Sequence, residues 1–500
     1  MIILKNYKNI WILAFAVILL TSCSEDDYDI PVEEVIPLSS GSANLSTYVS
    51  VGNSLTAGYT DGALFQVSQN YSMPNLLAQK FAMVGGGDFT QPLTNDNIGG
   101  LLLNGNEIEL PRLYFNGAGP VRLDAMPTNE ISNVTSGPYN NMGVPGAKSF
   151  HLLANGYGNV AGVPIGQANP YYVRMASSSN AAIIEDAVAM NPTFFSLWIG
   201  NNDVLSYAAS GGVGINQAGN FDPSTYGPND ITDPVVFGGA YSDLLDALTS
   251  NEAQGVAMNI PYITTIPYFT TVPHNPVPLD AATAAQLNGA FAEYNGGLLI
   301  AESLNLISET ERASRTINFV AGQNAVTMVD ESLTNLLNSP VPLPSYRHAT
   351  ANDLVVLPAS SFIGTEVGGN PQFINGVSVP LEDNWVLSVN EISEVTIATD
   401  LYNAAIEQLV AEKGIAFVDA KAIMQEIAAG GISFNEFNMQ SNLVFGMTFS
   451  LDGIHLTQRG YAYMANQILM AIDNTYGSNF EEAGVLLKAA DYTTFYPEGI

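Results

Sequence analysis

One serine of the chain lies at a position from which its hydroxyl could act as a nucleophile. Ser54 lies in a Gly-Asn-Ser-Leu segment, residues 52–55, directly after the largely apolar run 48–51. A strand that ends in such a small-residue turn can expose a hydroxyl at the carboxyl edge of a sheet, where open α/β folds bind their ligands. Serine nucleophiles also occupy tight strand-to-helix turns. Because the same residues are common in ordinary turns and helix caps, the prediction depends on partners elsewhere in the chain.

A candidate base and an acid that could orient it lie near the other end of the chain. Asp452 and His455 stand three residues apart in a turn that contains glycine. At this spacing the carboxylate can accept the Nδ1 proton of the imidazole, which leaves Nε2 free to act as a base. The alternative is that Asp452 caps the following helix and that His455 is a packed polar residue. Of the other histidines, we expect His151 to have a core or surface role and His274 and His348 to lie on the surface.

Two segments could supply hydrogen-bond donors to a negatively charged oxygen. Asn202 follows the apolar run 193–199, so its turn opens at the same sheet edge as Ser54. One side-chain amide of this kind contributes about 3 to 4 kcal/mol to lowering a reaction barrier. Gly146 belongs to a glycine-rich bend whose backbone N–H groups could do the same. Each segment, taken alone, is more typical of an ordinary turn or cap.

The segments that must position these residues alternate between strand-like and helix-like patterns. The predicted strands are residues 47–51, 193–199, 255–260 and 415–418. The predicted helices are residues 178–190, 240–249, 280–303, 397–413 and 457–476. Such alternation predicts a parallel sheet that is covered by helices. Residues 85–140 and 304–395, the latter with short strands at 326–329 and 354–357, fit this pattern poorly. We expect both to be insertions that build the walls of a cleft.

The first 22 residues have the features of a lipoprotein signal peptide. Lys5 and Lys8 precede an apolar run from Ile10 to Leu20, which has the length of a signal-peptide core and is short for a membrane span. Cys23 is the only cysteine of the chain and comes three residues after this run. Its position resembles the lipidated residue of a bacterial lipobox; the alternative is a plain secretory signal with an incidental cysteine. Lipidation of Cys23 would hold the protein on a membrane, and residues 23–43 would form a flexible tether.

Charge and composition restrict the classes of function. The 500 residues carry a formal net charge of −33, so the chain repels anionic surfaces, and nucleic acid is not an expected partner. With 47% hydrophobic and 12% charged residues, the chain can fill a large core. This composition is typical of an exported, folded protein rather than a disordered acidic one. The single cysteine and the four widely separated histidines offer no zinc-type cluster.

Four short blocks, taken together, resemble the SGNH, or GDSL-type, hydrolase family. The blocks are residues 52–55, Gly146, residues 200–203 and residues 452–455. This resemblance implies an α/β fold built as a three-layer α/β/α sandwich, with a flavodoxin-like parallel sheet and large loop insertions. The hydrolase domain would span residues 44–480 and would be followed by a C-terminal tail at 481–500. Asn53 stands where the family has an aspartate that is not its catalytic acid.

The resemblance also implies a role for each candidate residue. Ser54 would be the nucleophile of an esterase or lipase, His455 its general base, and Asp452 the acid that orients His455. Gly146, Asn202 and the backbone N–H of Ser54 would form the oxyanion hole. The mechanism that this assignment implies uses no metal and no organic cofactor.

The expected function is therefore hydrolysis of a carboxylic ester through an acyl-enzyme on Ser54. The substrate would be an acylated carbohydrate, an aryl ester or a lipid, and the apolar segments 262–273 and 354–362 would line an acyl pocket or form packed strands and loops.

Acidic residues at 24–29 resemble the export signal of outer-surface lipoproteins in Gram-negative bacteria. We therefore expect a cell-envelope protein, anchored in the outer membrane and exposed at the cell surface. The alternative is a non-catalytic surface lipoprotein whose 23 tyrosines and many asparagines and glycines bind glycans.

Overall fold

A parallel sheet of five strands forms the centre of the computed structural model, which describes residues 36–135 and 137–500. The strands are β1 (Tyr48–Gly52), β2 (Asn141–Gly143), β3 (Phe194–Trp198), β4 (Gln254–Met258) and β5 (Ala416–Val418). Their order across the sheet is β2-β1-β3-β4-β5, and every neighbouring pair is parallel. Nearly all their residues are buried, as expected of a parallel sheet. The predicted α/β class is confirmed.

The carboxyl ends of three strands meet at one edge of this sheet. Gly52, the last residue of β1, pairs with Gly143 of β2 on one side and with Trp198 of β3 on the other. The chain therefore moves from β1 to one neighbour and then crosses to the opposite side. Open α/β sheets bind ligands in the crevice at such a reversal of strand order. The residues that follow β1, β2 and β3 consequently surround a natural site position.

The helices follow the strands and pack together with the sheet around one apolar core. The helix Gln458–Tyr476 contacts β5 and the helix Met73–Phe81, whereas the helix Pro234–Thr249 contacts the helices Ile183–Ala189 and Val389–Lys413. The helices are α1 (Ser54–Ala57), α2 (Gln66–Asn70), α3 (Met73–Phe81), α4 (Pro170–Val173), α5 (Ile183–Ala189), α6 (Asn202–Ala209), α7 (Pro234–Thr249), α8 (Pro267–Thr270), α9 (Ala281–Ala290), α10 (Ala292–Ser303), α11 (Glu309–Arg315), α12 (Val389–Lys413), α13 (Ala420–Ala429) and α14 (Gln458–Tyr476).

Several predicted elements differ from the observed ones at their ends, and local capping explains the differences. The helix expected at 178–190 begins only at Ile183, because Glu185 accepts a hydrogen bond from the backbone N–H of residue 182 and fixes the start there. The helix expected at 397–413 begins earlier, at Val389, where Ser388 and Glu391 form a capping box. The helix expected at 280–303 is interrupted at Phe291, which ends α9 and begins α10.

The two predicted insertions consist largely of short antiparallel hairpins. Within 85–140 the paired strands are Leu101–Leu103 with Asn106–Glu109 and Leu113–Phe115 with Pro120–Arg122. Within or beside 304–395 they are Val277–Leu279 with Gly322–Asn324, Thr327–Val329 with Tyr346–His348, Leu354–Val355 with Val386–Leu387, and Glu366–Val367 with Asn370–Ile374. Ile432–Phe434 and Phe437–Met439 form a further hairpin after α13. The strands predicted at 326–329 and 354–357 are thus present in shorter form.

The last residues of the predicted tether are attached to the end of the chain's final long helix. The backbone N–H of Ser39 donates to Asn479 Oδ1 at 2.7 Å, and that of Ser42 donates to the Tyr476 carbonyl at 2.8 Å. Ala43 is buried. Residues Leu38–Ile500 accordingly form one compact unit, which starts several residues before the predicted boundary at 44.

The predicted C-terminal tail also packs against the folded unit. The Tyr496 ring lies edge-on to Phe65, with 5.0 Å between ring centroids. Arg112 Nη2 donates to the carbonyls of Pro497 and Glu498 at 2.8 and 2.7 Å. Residues 481–500 are therefore anchored by side chains far away in sequence.

The predicted leader, Cys23 and the first part of the tether lie outside the residues that the structure describes. Within residues 36–135 and 137–500, no helix has the length and apolar character needed to cross a membrane.

Candidate active site

Three residues from opposite ends of the chain form a hydrogen-bonded relay at the sheet edge. Ser54 Oγ lies 2.9 Å from His455 Nε2. His455 Nδ1 lies 2.9 Å from Asp452 Oδ2. With Nδ1–H donating to the carboxylate, Nε2 is left to accept the proton of the Ser54 hydroxyl. The structure thus brings together the three residues that the sequence proposed as nucleophile, base and orienting acid.

Local geometry at the end of β1 turns the Ser54 hydroxyl toward this relay. Gly52 passes so close to β3 that a Cβ there would lie 2.4 Å from the carbonyl oxygen of Trp198, which only glycine avoids. Asn53 caps the short helix α1 by accepting a hydrogen bond from the N–H of Leu55 at 3.0 Å. Ser54 is consequently the first residue of a helix that starts immediately after the strand.

Asn53 also connects the Ser54 turn to the end of β3. Its Nδ2 donates to Asn201 Oδ1 at 3.2 Å. An aspartate, which the resembled family carries here, has no donor for this bond. The asparagine therefore anchors the turn in a way that differs from the aspartate.

Backbone and side-chain donors hold the Asp452 carboxylate in its ionised form. Its Oδ1 accepts from the N–H groups of Ile454 and His455 at 2.8 and 2.9 Å. Its Oδ2 accepts from the N–H of Gly62 at 2.8 Å, besides facing His455. Burial alone would raise the pKa of Asp452, but His455 and these donors outweigh it and keep the pKa well below its ordinary value. The alternative in which Asp452 caps α14 is wrong, because Thr457 is the cap of that helix.

Asp61 is a buried acid beside the relay that sequence reasoning missed. Its Oδ1 accepts from the N–H of Leu451 at 2.9 Å, and its own N–H donates to Ser450 Oγ at 3.0 Å. Burial raises the pKa of Asp61 to about 7, and the nearby charge of Asp452 adds to this effect. Asp61 therefore fastens the loop that carries Asp452. The only signal in the sequence is an Asp-Gly pair, which is common in turns.

The candidate oxyanion donors lie around Ser54 on the loops after β2 and β3. Asn202 Nδ2 donates to the carbonyl of Ala147 at 2.9 Å, so the side chain spans from one loop to the other and keeps one N–H for another acceptor. Among the hydrogen bonds of the described residues, none uses the backbone N–H of Ser54 or of Gly146. Gly146 has φ of +80°, a conformation that favours glycine. Ser54, Gly146 and Asn202 line one cavity together.

Asp203 fixes the relative position of these two loops. The carboxylate is fully buried and accepts from the N–H and the hydroxyl of Ser149 at 2.9 and 2.8 Å. Ser149 follows the Gly146 bend in the chain, whereas Asp203 follows Asn202. The hydrogen bonds between Asp203 and Ser149 therefore fix the position of Gly146 relative to Asn202.

Two cavities meet at Ser54 and His455. One, called here the apolar cavity, extends into the protein beside α13 and α14 and is lined by Asn53, Ser54, Leu55, Trp198, Asn201, Asn202, Leu205, Pro261, Ile263, Ile266, Ala420, Ile423, Met424, Ile427, Met439, Thr448, Phe449, Ile454, His455, Leu456, Gly460, Tyr463 and Met464. The other, called here the aromatic cavity, is more open and is lined by Ser54, Tyr59, Glu109, Pro145, Gly146, Asn169, Pro170, Tyr171, Asn202, Leu205 and His455.

Tyr59 is a second site residue that the sequence did not reveal. Its ring lies against the His455 imidazole, with 4.5 Å between centroids. Tyr461 Oη donates to the Tyr59 carbonyl at 2.6 Å and holds this segment in place. Because an aromatic ring on one face restricts the imidazole, Tyr59 helps to keep Nε2 directed at Ser54. Glu109, from the first insertion, also reaches this side.

The remaining histidines line neither cavity. His151 is stacked on Tyr157, with 4.5 Å between ring centroids, and burial lowers its pKa to about 3. His348 accepts a hydrogen bond from the N–H of Asn318 at 3.2 Å, and its Nδ1 is buried. His348 is half-buried rather than fully exposed, since its ring packs edge-on against Phe319 with 5.0 Å between centroids.

One group of carboxylates within the described ranges is close enough to share a cation. The ligand atoms of Glu331, Asp383 and Glu391 lie within 4.8 Å of one another. Burial, followed by the neighbouring Glu331, raises the pKa of Asp383 to about 7 and that of Glu391 to about 9. None of the three lines either cavity at Ser54. The group therefore lies outside the lining of the candidate active site.

In comparisons with known proteins, no family model, no curated protein and no solved structure matches this chain. The interpretation of the site therefore depends on its residues and their geometry.

Proposed function

We propose that the protein is a serine hydrolase that cleaves carboxylic esters through an acyl-enzyme on Ser54. The observation that carries this proposal is the continuous relay from Ser54 Oγ through His455 to Asp452, with both distances 2.9 Å. A hydroxyl that donates to an imidazole, which in turn donates to a carboxylate, has the geometry of an activated nucleophile.

In the first half of the proposed reaction, Ser54 Oγ attacks the ester carbonyl while His455 Nε2 takes the hydroxyl proton. Asp452 stabilises the imidazolium that forms, because its carboxylate stays ionised. The carbonyl oxygen becomes an oxyanion, to which the N–H groups of Ser54 and Gly146 and the amide of Asn202 can donate. The C–O bond to the alcohol then breaks, and the alcohol leaves with the proton from His455.

In the second half, water replaces the alcohol. His455 removes a proton from this water, which attacks the acyl carbonyl, and Ser54 leaves with the proton when the tetrahedral intermediate collapses. The aromatic cavity is the more open side of the site and offers water a route to the His455 imidazole. Ser54 and His455 thus act in both halves: Ser54 is first the nucleophile and then the leaving group, and His455 accepts a proton and then donates it in each half.

The strand order supports the fold that the resemblance to SGNH hydrolases implies. Numbered along the chain, the order is 2-1-3-4-5, which is that of flavodoxin-like sheets. Helices α3 and α14 contact each other, and so do α7 and α12, which is consistent with a helical layer on each face of the sheet. We propose a three-layer α/β/α sandwich and membership of that family on this basis.

A non-catalytic glycan-binding protein remains the competing proposal, and one observation favours it. Tyr59 and Tyr171 line the aromatic cavity, and carbohydrates commonly bind to aromatic rings that have polar groups beside them. This proposal gives no reason for the distance between Ser54 and His455. We therefore prefer the hydrolase. Export, lipidation of Cys23 and a location at the outer membrane stay proposals from the sequence.

Replacement of Ser54 by alanine tests the proposal. The purified protein should hydrolyse a short-chain aryl ester, and Ser54→Ala should lower kcat by roughly 10⁵-fold or more, because serine and histidine act as a unit. Ser224→Ala removes an exposed serine hydroxyl and serves as the matched control with unchanged activity. Turnover by Ser54→Ala at the wild-type rate would refute the proposal.

A further inference from the structure

The apolar cavity identifies the acyl part of the substrate, provided that Ser54 is the proposed nucleophile. We infer that the cavity receives a fatty acyl chain and that the alcohol part of the ester lies in the aromatic cavity. Ser54, Asn202, Leu205 and His455 line both cavities. An ester whose carbonyl carbon lies at Ser54 therefore has one substituent on each side of this junction.

Four separate parts of the chain supply the walls of the apolar cavity. One face of α13 contributes Ile423, Met424 and Ile427, and the segment after β4 contributes Ile263 and Ile266. Helix α14 adds Tyr463 and Met464, and the hairpin after α13 adds Met439. Most of these side chains are buried. Such walls offer many dispersion contacts and few hydrogen bonds, which suits a hydrocarbon chain.

Most polar side chains that line this cavity are hydrogen-bonded within the protein. Asn53 Nδ2 donates to Asn201 Oδ1, and Trp198 Nε1 donates to the carbonyl of Asn259 at 3.2 Å. These groups therefore do not require a polar ligand; Thr448 Oγ1 is the exception, since it is buried and has no hydrogen-bond partner among the described residues. Water in this cavity would lie against isoleucine and methionine side chains, with which it forms no hydrogen bonds. A hydrocarbon chain that replaces the water should bind about fourfold more tightly for each methylene that it buries.

The three methionines of the wall fit an occupant of variable length. Met424, Met439 and Met464 have unbranched, flexible side chains that adapt to irregular shapes. They lie on α13, on the hairpin after it and on α14. We therefore expect the site to accept a range of chain lengths rather than one acid.

The opposite cavity has the character of a site for a polar alcohol. Glu109, Asn169 and Tyr171 line it together with Tyr59. Tyr171 is buried, and its hydroxyl lies near that of Tyr59. The carboxylate of Glu109 can accept a hydrogen bond from a hydroxyl-bearing alcohol but not from a hydrocarbon.

The experiment compares a series of aryl esters that share one leaving group and differ in acyl length. For soluble esters from acetate to octanoate, kcat/KM should rise by up to about fourfold per methylene over several steps. A fluorophosphonate with a long alkyl chain should likewise label the wild-type protein faster than one with an ethyl chain. This second comparison needs no variant.

Two matched variants localise the effect. Ala420 lines the apolar cavity and is buried, whereas Ala422 is exposed on the same helix α13. Ala420→Leu fills part of the cavity and should shift the preferred chain to a shorter one, with acetate hydrolysis changed less than octanoate hydrolysis. Ala422→Leu should keep the wild-type preference.

Two results would overturn the inference, and they are distinguishable. If Ser54 reacts with fluorophosphonates but acetate is the best ester and alkyl length has no effect, the acyl assignment is wrong and the proposed hydrolase stands. If no ester is hydrolysed and Ser54 stays unlabelled, the proposed function itself fails, and the acyl assignment fails with it.

Discussion

Two regions of the molecule hold acidic side chains close together in buried surroundings, yet the pKa values of these side chains shift in opposite directions. At the relay, the pKa of Asp452 is held well below its ordinary value, although the side chain is only 12% exposed. In the cluster of Glu331, Asp383 and Glu391, the pKa of Asp383 is raised to about 7 and that of Glu391 to about 9. Burial acts in the same direction on both.

The neighbours of each carboxylate account for the difference. Asp452 faces His455 and accepts backbone N–H bonds from Gly62, Ile454 and His455. Glu391 accepts one N–H bond, from Ser388 at 2.6 Å, and otherwise faces other acids while its Oε1 has no partner among the described residues. The charge state of a buried carboxyl group thus depends on how many hydrogen-bond donors and positive charges surround it. A relay needs the first arrangement, because only an ionised carboxylate can stabilise an imidazolium.

Among substitutions in the two acidic regions, the largest effect is expected from the loss of the ionised acid at the relay. Asp452→Asn preserves the shape of the side chain but replaces a charged acceptor by an amide, which favours the wrong histidine tautomer. We expect kcat to fall by roughly 10⁴-fold for an aryl ester, measured in steady-state kinetics with a melting temperature close to wild type. A loss of less than tenfold would remove Asp452 from the mechanism.

The matched substitution in the cluster serves as a control for that result. Asp383→Asn replaces an acid whose pKa is already raised by burial and by Glu331. Because Asp383 lines neither cavity at Ser54, we expect kcat within about twofold of wild type. A large loss of activity here would mean that the cluster and the relay are coupled.

A smaller effect is expected at Asp61, which fastens the loop of Asp452. Asp61→Ala leaves the buried N–H of Leu451 without its acceptor, at a cost of about 1–3 kcal/mol in the free energy of unfolding. We expect activity to fall several-fold as well, because the loop carries the relay acid. Denaturant unfolding and steady-state kinetics measure the two changes.

Asp61→Asn is the conservative variant for that position. Its amide oxygen can accept the same N–H bond, and asparagine tolerates the φ of +52° found at residue 61. We expect near-wild-type stability and activity at pH 6, where the raised pKa keeps much of Asp61 protonated. An asparagine variant as damaged as the alanine variant would show that ionisation of Asp61 matters.

The smallest effect concerns the dependence of stability on pH. The folded-state pKa of Glu391 is about 9, whereas its unfolded value is 4.5, so its stabilising contribution is complete below pH 4.5 and is lost progressively as the pH rises from 4.5 to 9. Glu391→Gln cannot ionise, so its stability relative to wild type should be greater at pH 9 than at pH 5. Thermal unfolding across pH 5–9 measures this.

Glu407→Gln, an exposed position on the same helix α12, provides the comparison for that experiment. It should retain the wild-type decline of stability with pH. If Glu391→Gln shows the same decline as Glu407→Gln, the cluster is not the source of the pH dependence.

The relay residues could be predicted from sequence because each lies in a short local pattern. Ser54 follows a strand at a glycine-containing turn, and Asp452 and His455 share one turn. Asp61 and Tyr59 could not be predicted, since their roles arise from contacts with residues 390 and 402 positions away along the chain. Turn-type residues such as Asp and Gly do not reveal such partners in a single sequence.

The fold was predictable to a similar degree. Long buried strands such as β3 gave clear apolar runs, whereas β2 spans only Asn141–Gly143 and becomes a strand through pairing with β1. Helix α13 was missed, although Asp419 caps it. As a result, the sequence placed Ile263 and Ile266 near an acyl pocket but did not identify the wall that α13 provides. Residues 354–362, the other expected lining, lie outside both cavities.

The most direct test of the central claim is to identify the residue that reacts covalently. Wild-type protein is treated with a fluorophosphonate, digested and examined by peptide mass spectrometry. We predict a single phosphonate adduct on Ser54, and none in His455→Ala, because only an imidazole within 2.9 Å activates this hydroxyl. An adduct on another residue, or an unmodified Ser54 peptide under conditions that label an authentic serine esterase, would contradict the account.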